Sequence, residues 1–214
     1  MAEQKSKKGF FGKFVNLLSG KPEEADENAE NNSESKSIHG PEQNEPADLS
    51  FVRKFIASGG KFLYCADEEE AYSYLQMIMQ ESGLEKVFAQ PNNLISILNK
   101  AGIAVENQID QADAFCSYCE YLVSFNGGIM ITAKQTMGRK LVELPDTFIT
   151  IARTSQITEN LRSALTGIRI KYKSDIPSQI TTIKGPKKVE EIEEEDTTKI
   201  CNKEIYLLLL EDQA

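Results

Sequence analysis

"EYLVSFNGGIMITAKQTMGRKLVELPD", Glu120 to Asp146, is the stretch on which the fold turns. Two apolar runs flank Asn126-Gly127-Gly128, and Gly138-Arg139 follows before the next apolar segment. Asn-Gly accepts the positive φ angles of a tight turn, and the β-branched residues after it suit a strand, so 124–132 predicts a β-hairpin. The two glycines also leave main-chain N–H groups open to a small anion. Arg139, beside a glycine on a predicted loop, can clamp a carboxylate or phosphate through two parallel hydrogen bonds.

Strands and helices alternate on both sides of this hairpin. "SFVRKFIAS" (50–58) reads as a helix and "KFLYCA" (61–66) as a buried strand. "DEEEAYSYLQMIMQESG" (67–83) opens with acids suited to a helix N-terminus and stops at Gly83. "EKVFAQ" is a strand, and "PNNLISILNKAG" a helix with asparagines available as caps and Gly102 as its stop. "DTFITIAR" predicts a strand, "TSQITENLRSAL" a helix, "SQITTIKGPKK" a strand, and "EIYLLLLED" (204–212) the last strand. This alternation predicts one α/β domain over 49–214, with helices on both faces of a sheet.

The first 48 residues have another character. Residues 1–21 carry five lysines against Glu3, a net charge of +4, and place Phe10, Phe14 and Leu17, or Phe11, Val15 and Leu18, at helical spacing. Such a basic amphipathic segment suits docking on an anionic membrane or a partner protein. Residues 22–48 hold nine acids against Lys36 and few apolar side chains, too little to offset chain entropy, so they read as a disordered linker.

Composition closes off several functions. The net charge of −9 argues against general nucleic-acid binding, which needs clustered Lys and Arg. The longest apolar run, "IYLLLL", is far short of the roughly 20 residues that span a bilayer. The single histidine, His39, lies in the polar tail, so the folded part has no His-dependent triad and no His-ligated zinc. The four cysteines form no disulfide scaffold and read as reduced thiols of a cytoplasmic protein. Cys116 and Cys119 make a C-x-x-C, but in strand-like sequence positions i and i+3 face opposite sides, which predicts buried structural thiols. No metal site and no bound cofactor are expected.

Further candidates for binding are Lys184, Gly185, Lys187 and Lys188 of "IKGPKK", at a strand end where open α/β sheets hold ligands. For catalysis, Glu120 and Asp113 flank the run before the hairpin, and Glu143 and Asp146 lie near Arg139.

"ADAFCSYCEYLVSFNGGIMIT", followed by "GRKLVELPDTFITIA", resembles the core of the LUD domain, the lactate-utilisation type, over residues 50–212. The resemblance implies a Rossmann-like mixed sheet similar to the sugar-phosphate isomerase and CoA-transferase folds. The family's first acid corresponds to Asp113 and its second to Glu120. Its Glu-Thr-Gly-Thr is here Phe125, Asn126, Gly127 and Gly128. Its Gly-Arg is Gly138-Arg139, and its Gly-Pro-Ser is Gly185, Pro186 and Lys187. The loop before the last strand is replaced by "KICNK", 199–203. Backbone-shaping residues are thus kept, while a carboxylate gives way to a phenyl ring.

The resemblance implies an accessory subunit in cytoplasmic oxidation of lactate or a related organic acid, with redox centres on iron–sulfur partner subunits. A second reading is a non-enzymatic module that binds a small organic acid or a phosphate-bearing ligand through Asn126, Gly127, Gly128, Arg139, Gly185 and Lys187. A third is a transferase-type enzyme with Glu120 as its catalytic carboxylate. The binding reading requires the Gly127 turn and Arg139 to share one hollow.

Overall fold

The computed structural model describes residues 45–186 and 203–212. The basic segment 1–21, most of the acidic linker, Lys187 and Lys188 lie outside the described residues.

Helix α1 (Ala47–Ala57) begins two residues ahead of the expected domain start, and Glu45 before it pairs with Arg53 at 2.7 Å. It buries Phe51, Val52 and Phe55, an i, i+1, i+4 stripe, and turns Arg53 outward. Strand β1 (Lys61–Cys65) follows. Helix α2 (Glu68–Glu81) is capped by Asp67, whose carboxylate accepts the Glu70 N–H at 2.9 Å, and has three acids in its first turn. Strand β2 (Lys86–Ala89) leads to helix α3 (Asn92–Lys100). The expected asparagine cap does not form there: Pro91 takes the N-cap place, and its carbonyl accepts the Leu94 and Ile95 N–H groups. Gly102, at φ +71°, ends α3 as expected.

After β3 (Ala104–Glu106) come β4 (Ala114–Tyr118), β5 (Tyr121–Val123) and β6 (Gly128–Thr132). β5 and β6 pair antiparallel, with Val123 opposite Gly128, so the predicted hairpin is present. The one-turn helix α4 (Ala133–Thr136) and β7 (Thr147–Arg153) follow. "TSQITENLRSAL" divides where one helix was expected. Thr154–Gln156 form a 3-10 turn, β8 covers Ile157–Thr158, and helix α5 (Leu161–Tyr172) starts only after Asn160 caps the Ser163 N–H at 3.0 Å. The last strands are β9 (Ile180–Ile183) and β10 (Glu204–Leu210).

Two sheets result. Six parallel strands run in the order β1-β10-β7-β4-β2-β3, and a mixed sheet runs β8-β5-β6-β9. β10 is buried on both sides: Ile205, Leu207 and Leu209 enter one core and Tyr206, Leu208 and Leu210 the other. That is why its sequence is continuously apolar rather than alternating. Helices α2 and α3 cover one face of the parallel sheet. The other face is covered by α1 together with Leu122, Ile129, Ile131 and Ile183 of the mixed sheet. Helix α5 closes the far side of that second sheet through Ala164 and Ile168 against Val123 and Met130.

The hairpin therefore forms an inner layer rather than an edge. Phe115 anchors the interface, 4.9 Å centroid to centroid from Phe148 and 6.1 Å from Phe88. Truncating such a ring costs about 3–5 kcal/mol. Among the described residues no helix is long and apolar enough to cross a membrane.

Cys116 and Cys119 are buried free thiols in different cores, Cys116 on the α2/α3 side and Cys119 on the hairpin side. Burial pushes both thiols far above the ordinary range and Cys65 up to about 12, which suits structural rather than nucleophilic side chains.

Candidate functional site

The parallel order opens a crevice at the carboxyl ends of the strands. From β2 the chain moves outward to β3, whereas from β4 it moves the opposite way, to β7. Connections that diverge from neighbouring strands leave a crevice beyond their carboxyl ends. A cleft of about 580 Å³ lies there, bordered by Gln90 and Asn93 after β2, Tyr118 ending β4 with Cys119 after it, and Arg153 ending β7.

Its inner wall is built around Glu120, at the corner between β4 and β5. The side chain has no exposed surface. One carboxylate oxygen accepts Gln135 Nε2 at 2.7 Å and the Tyr172 hydroxyl at 2.6 Å, and the other accepts Lys171 Nζ at 2.7 Å. Each partner is itself held. Thr132-x-x-Gln135 is a capping box in which Gln135 Oε1 accepts the Thr132 N–H at 2.8 Å, so the cap that starts α4 also aims the Gln135 amide. Lys171 and Tyr172 are the last residues of α5. Gln156 Nε2 donates to the carbonyls of Cys119 at 2.7 Å and Glu120 at 3.2 Å, fixing the corner from behind.

Burial by itself would raise the Glu120 carboxyl; the hydrogen bonds from Lys171, Tyr172 and Gln135 outweigh it and hold the group below its ordinary value. Burial would likewise lower Lys171, but Glu120 outweighs it and keeps the ammonium above its usual range. Burial and the Glu120 charge both raise Tyr172. Glu120 is thus an ionised anchor with both oxygens in use. It does not reach a substrate as nucleophile or base from this position. What it presents to the cleft is the Lys171 ammonium, whose side chain is 55% exposed.

Lys134 enters the same cleft, pairs with Asp175 and lies 4.7 Å from the Tyr172 ring centroid. Three cations, Lys134, Arg153 and Lys171, therefore line a hollow in which Glu68 is the one carboxylate among the described lining residues. Gln90, Asn93 and Gln156 add neutral hydrogen-bonding groups. This set can bind and orient a small anion. Arg153 could have been found from sequence, as the residue ending a predicted strand. "TAKQ" carried the capping-box signal for α4. Nothing local singled out Lys171 or Tyr172.

The residues expected to bind a ligand fall elsewhere. Asn126 Oδ1 accepts the Gly128 N–H at 3.1 Å, which closes the turn on itself. A Cβ on Gly127 would stand 2.6 Å from the Lys54 carbonyl carbon and the Phe55 nitrogen, so this glycine lets the turn lie against the end of α1. Gly185 sits against Ser58–Gly60 in the same way, a Cβ there meeting the Gly60 nitrogen at 2.3 Å. Its N–H points to Ser58 Oγ at 3.4 Å. Phe125, where the family pattern has a carboxylate, is exposed at the hairpin tip, and its carbonyl accepts Lys54 Nζ at 3.0 Å.

Arg139 lies in a different cleft with Ile131 and Thr132, at the opposite end of β6, roughly 13 Å along the strand from Gly128. The Gly127 turn and Arg139 therefore do not share a hollow. Two interactions decide this: close packing of glycine on α1 at one end of β6, and the capping box that redirects the chain at the other. Asp113 lies at the amino end of β4, where its carboxylate accepts the Glu85 and Lys86 N–H groups, both at 2.9 Å. Those backbone bonds hold its carboxyl below the ordinary range. Glu143 accepts the Lys140 N–H at 2.9 Å, and Asp146 is fully exposed beside Lys203. Lys184 follows β9, outside both clefts.

Comparison with known proteins agrees with this architecture. A solved structure of a DUF162 family protein from Deinococcus radiodurans superposes with a TM-score of 0.53 at 15% identity, covering 78% of this chain and 96% of that one. At that identity the likeness is one of fold. Among curated proteins no match was found. The family model described as LUD domain matches residues 50–210, essentially all of the described fold. The chain belongs to the LUD domain family.

Proposed function

We propose that this chain is an accessory subunit in the cytoplasmic utilisation of lactate or a related organic acid, and that it binds the organic anion in the carboxyl-end cleft. The observation that carries this reading is the convergence of Lys134, Arg153 and Lys171 on a hollow at the divergence point of the parallel strands. A monocarboxylate can accept from Arg153 and from the N–H donors that Lys134 and Lys171 do not spend on Asp175 and Glu120, and the neutral amides around it suit a hydroxyl or keto oxygen. In this reading electron transfer takes place on iron–sulfur partner subunits, and this chain binds and positions.

A second reading, a small-anion-binding or scaffolding module with no chemistry of its own, draws on the state of Glu120. The Glu120 carboxylate, behind the cleft wall, is sealed by three donors and has no exposed surface.

Thermal unfolding of the full chain with lactate, pyruvate and inorganic phosphate tests the site. A ligand at a hundred times its Kd stabilises the fold by about 2.7 kcal/mol, a shift of several degrees. Arg153→Ala and Lys134→Ala should abolish the shift and leave the unliganded Tm near wild type. No shift with any of the three anions refutes the site. Binding without co-purification of iron–sulfur subunits from the native host selects the second reading.

A further inference from the structure

A second cleft, of about 750 Å³, opens where Asp146 and Lys203 precede β7 and β10, beside the Thr132 end of β6 and the Ile180 end of β9. We propose that it binds an amphiphilic organic anion, a carboxylate or phosphate head on an apolar body, independently of the carboxyl-end cleft.

The argument begins with Lys203. Its side chain is only 7% exposed, yet it faces a carboxylate only at 3.5 Å, that of Asp146, which stands wholly in water. Its other bond among the described residues is to the Leu144 carbonyl at 2.7 Å. An ammonium carries three N–H donors, of which the described residues take two, and a buried cation whose counter-charge is a solvated carboxylate 3.5 Å away is poorly compensated. Arg139 lines the same cleft, and its ion pair is a 3.9 Å contact to Asp110, itself 81% exposed. A guanidinium in that state has its fork available for a planar or tetrahedral anion. Lys140 brings a third cation, and Asp146 is the one carboxylate among the described lining residues.

The rest of the cleft selects the ligand's other end. Ile131, Leu141 and Ile180 form an apolar wall, and Val142 stands 80% exposed at its rim. A volume of this size falls in the range of roughly 300–1,000 Å³ that holds small organic molecules. An inorganic ion would satisfy the cations and leave the wall wet.

Octanoate, octyl phosphate and inorganic phosphate distinguish the possible heads, by titration calorimetry on the full chain. Binding of octanoate or octyl phosphate is expected, at least tenfold weaker in Arg139→Ala and Lys203→Met and unchanged in Lys171→Ala. Whichever of the two octyl compounds binds more tightly identifies the head group. Arg139 is 43% exposed in its side chain, so Arg139→Ala decides the matter should Lys203→Met fail to fold. No binding by either octyl compound, or equal affinity in wild type and Arg139→Ala, overturns the proposal. Inorganic phosphate binding as tightly as octyl phosphate also overturns it. Loss of binding in Lys171→Ala would place the ligand in the carboxyl-end cleft and overturn it as well.

Discussion

Replacing Glu120 by glutamine tests the anchor on which the carboxyl-end cleft is built. Glutamine keeps the shape of the side chain and, through its oxygen, an acceptor for the Tyr172 hydroxyl and the Gln135 amide. Its NH2 group, however, takes the place of the oxygen that accepts Lys171 Nζ at 2.7 Å, so donor meets donor. A hydrogen bond to a charged group contributes about 1.5–3 kcal/mol. Lys171 is more than half exposed and can turn its ammonium to water, which trims the loss to about 1.5–2 kcal/mol. For a chain of this size that corresponds to a fall in Tm of roughly 3–8 °C.

The effect should depend on pH with a definite sign. The folded Glu120 carboxyl lies below its unfolded value, about 4.3 for a free glutamate side chain. Its stabilising contribution is therefore complete above that unfolded value and is lost as pH falls through the lower folded one. Urea unfolding followed by circular dichroism, on both proteins at neutral pH and again below about pH 4, reads this directly. Other carboxylates titrate in both proteins and cancel in the difference. The gap should be largest at neutral pH and shrink in acid. Equal stability at pH 7, or a gap that stays constant into acid, would refute the view of Glu120 as an ionised anchor.

Three further outcomes follow from the packing. Gly127→Ala should destabilise more than Gly102→Ala. Both glycines have positive φ, a cost of about 1–2 kcal/mol for alanine, but only at Gly127 does the new Cβ meet backbone, at 2.6 Å, adding roughly 1–3 kcal/mol; equal losses in chemical denaturation would contradict the close approach to α1. In a Cys201→Ser background, a thiol reagent at pH 8 should label Cys65, Cys116 and Cys119 only as the protein unfolds, because burial raises all three thiols; prompt labelling of the native protein would be inconsistent with it. Phe125→Ser should change stability by less than about 0.5 kcal/mol, since the ring is 74% exposed at the hairpin tip; a larger loss would mean that the ring is covered.

The hairpin was legible because its signal is local. Asn126-Gly127 needs positive φ and the β-branched run beyond it needs a strand, whatever the rest of the chain does. The stops at Gly83 and Gly102 were legible for the same reason, and so were the acidic start of α2 and "IYLLLL" as the last strand, whereas its burial on both sides appears only in the fold. The second sheet was not. A three-residue strand such as Tyr121–Val123 runs straight on from β4 in sequence, and only the turn at Cys119-Glu120, held by Gln156 from a distant 3-10 turn, separates the two. The misread helix at 154–165 has the same origin, since the two-residue β8 exists only because β5 lies beside it.

What the chain determined by itself was its class: an α/β domain behind a polar tail, the strand and helix order of the parallel sheet, and the glycines on which its turns depend. The site was decided in three dimensions. Lys134, Arg153 and Lys171 come from α4, the end of β7 and the end of α5, and Glu120 joins them from the β4–β5 corner. Turn and helix preferences arise between residues a few positions apart and are written into any short stretch. Convergence on a cleft depends on which strands are neighbours in the sheet, and that order is set by burying both faces of the sheet at once.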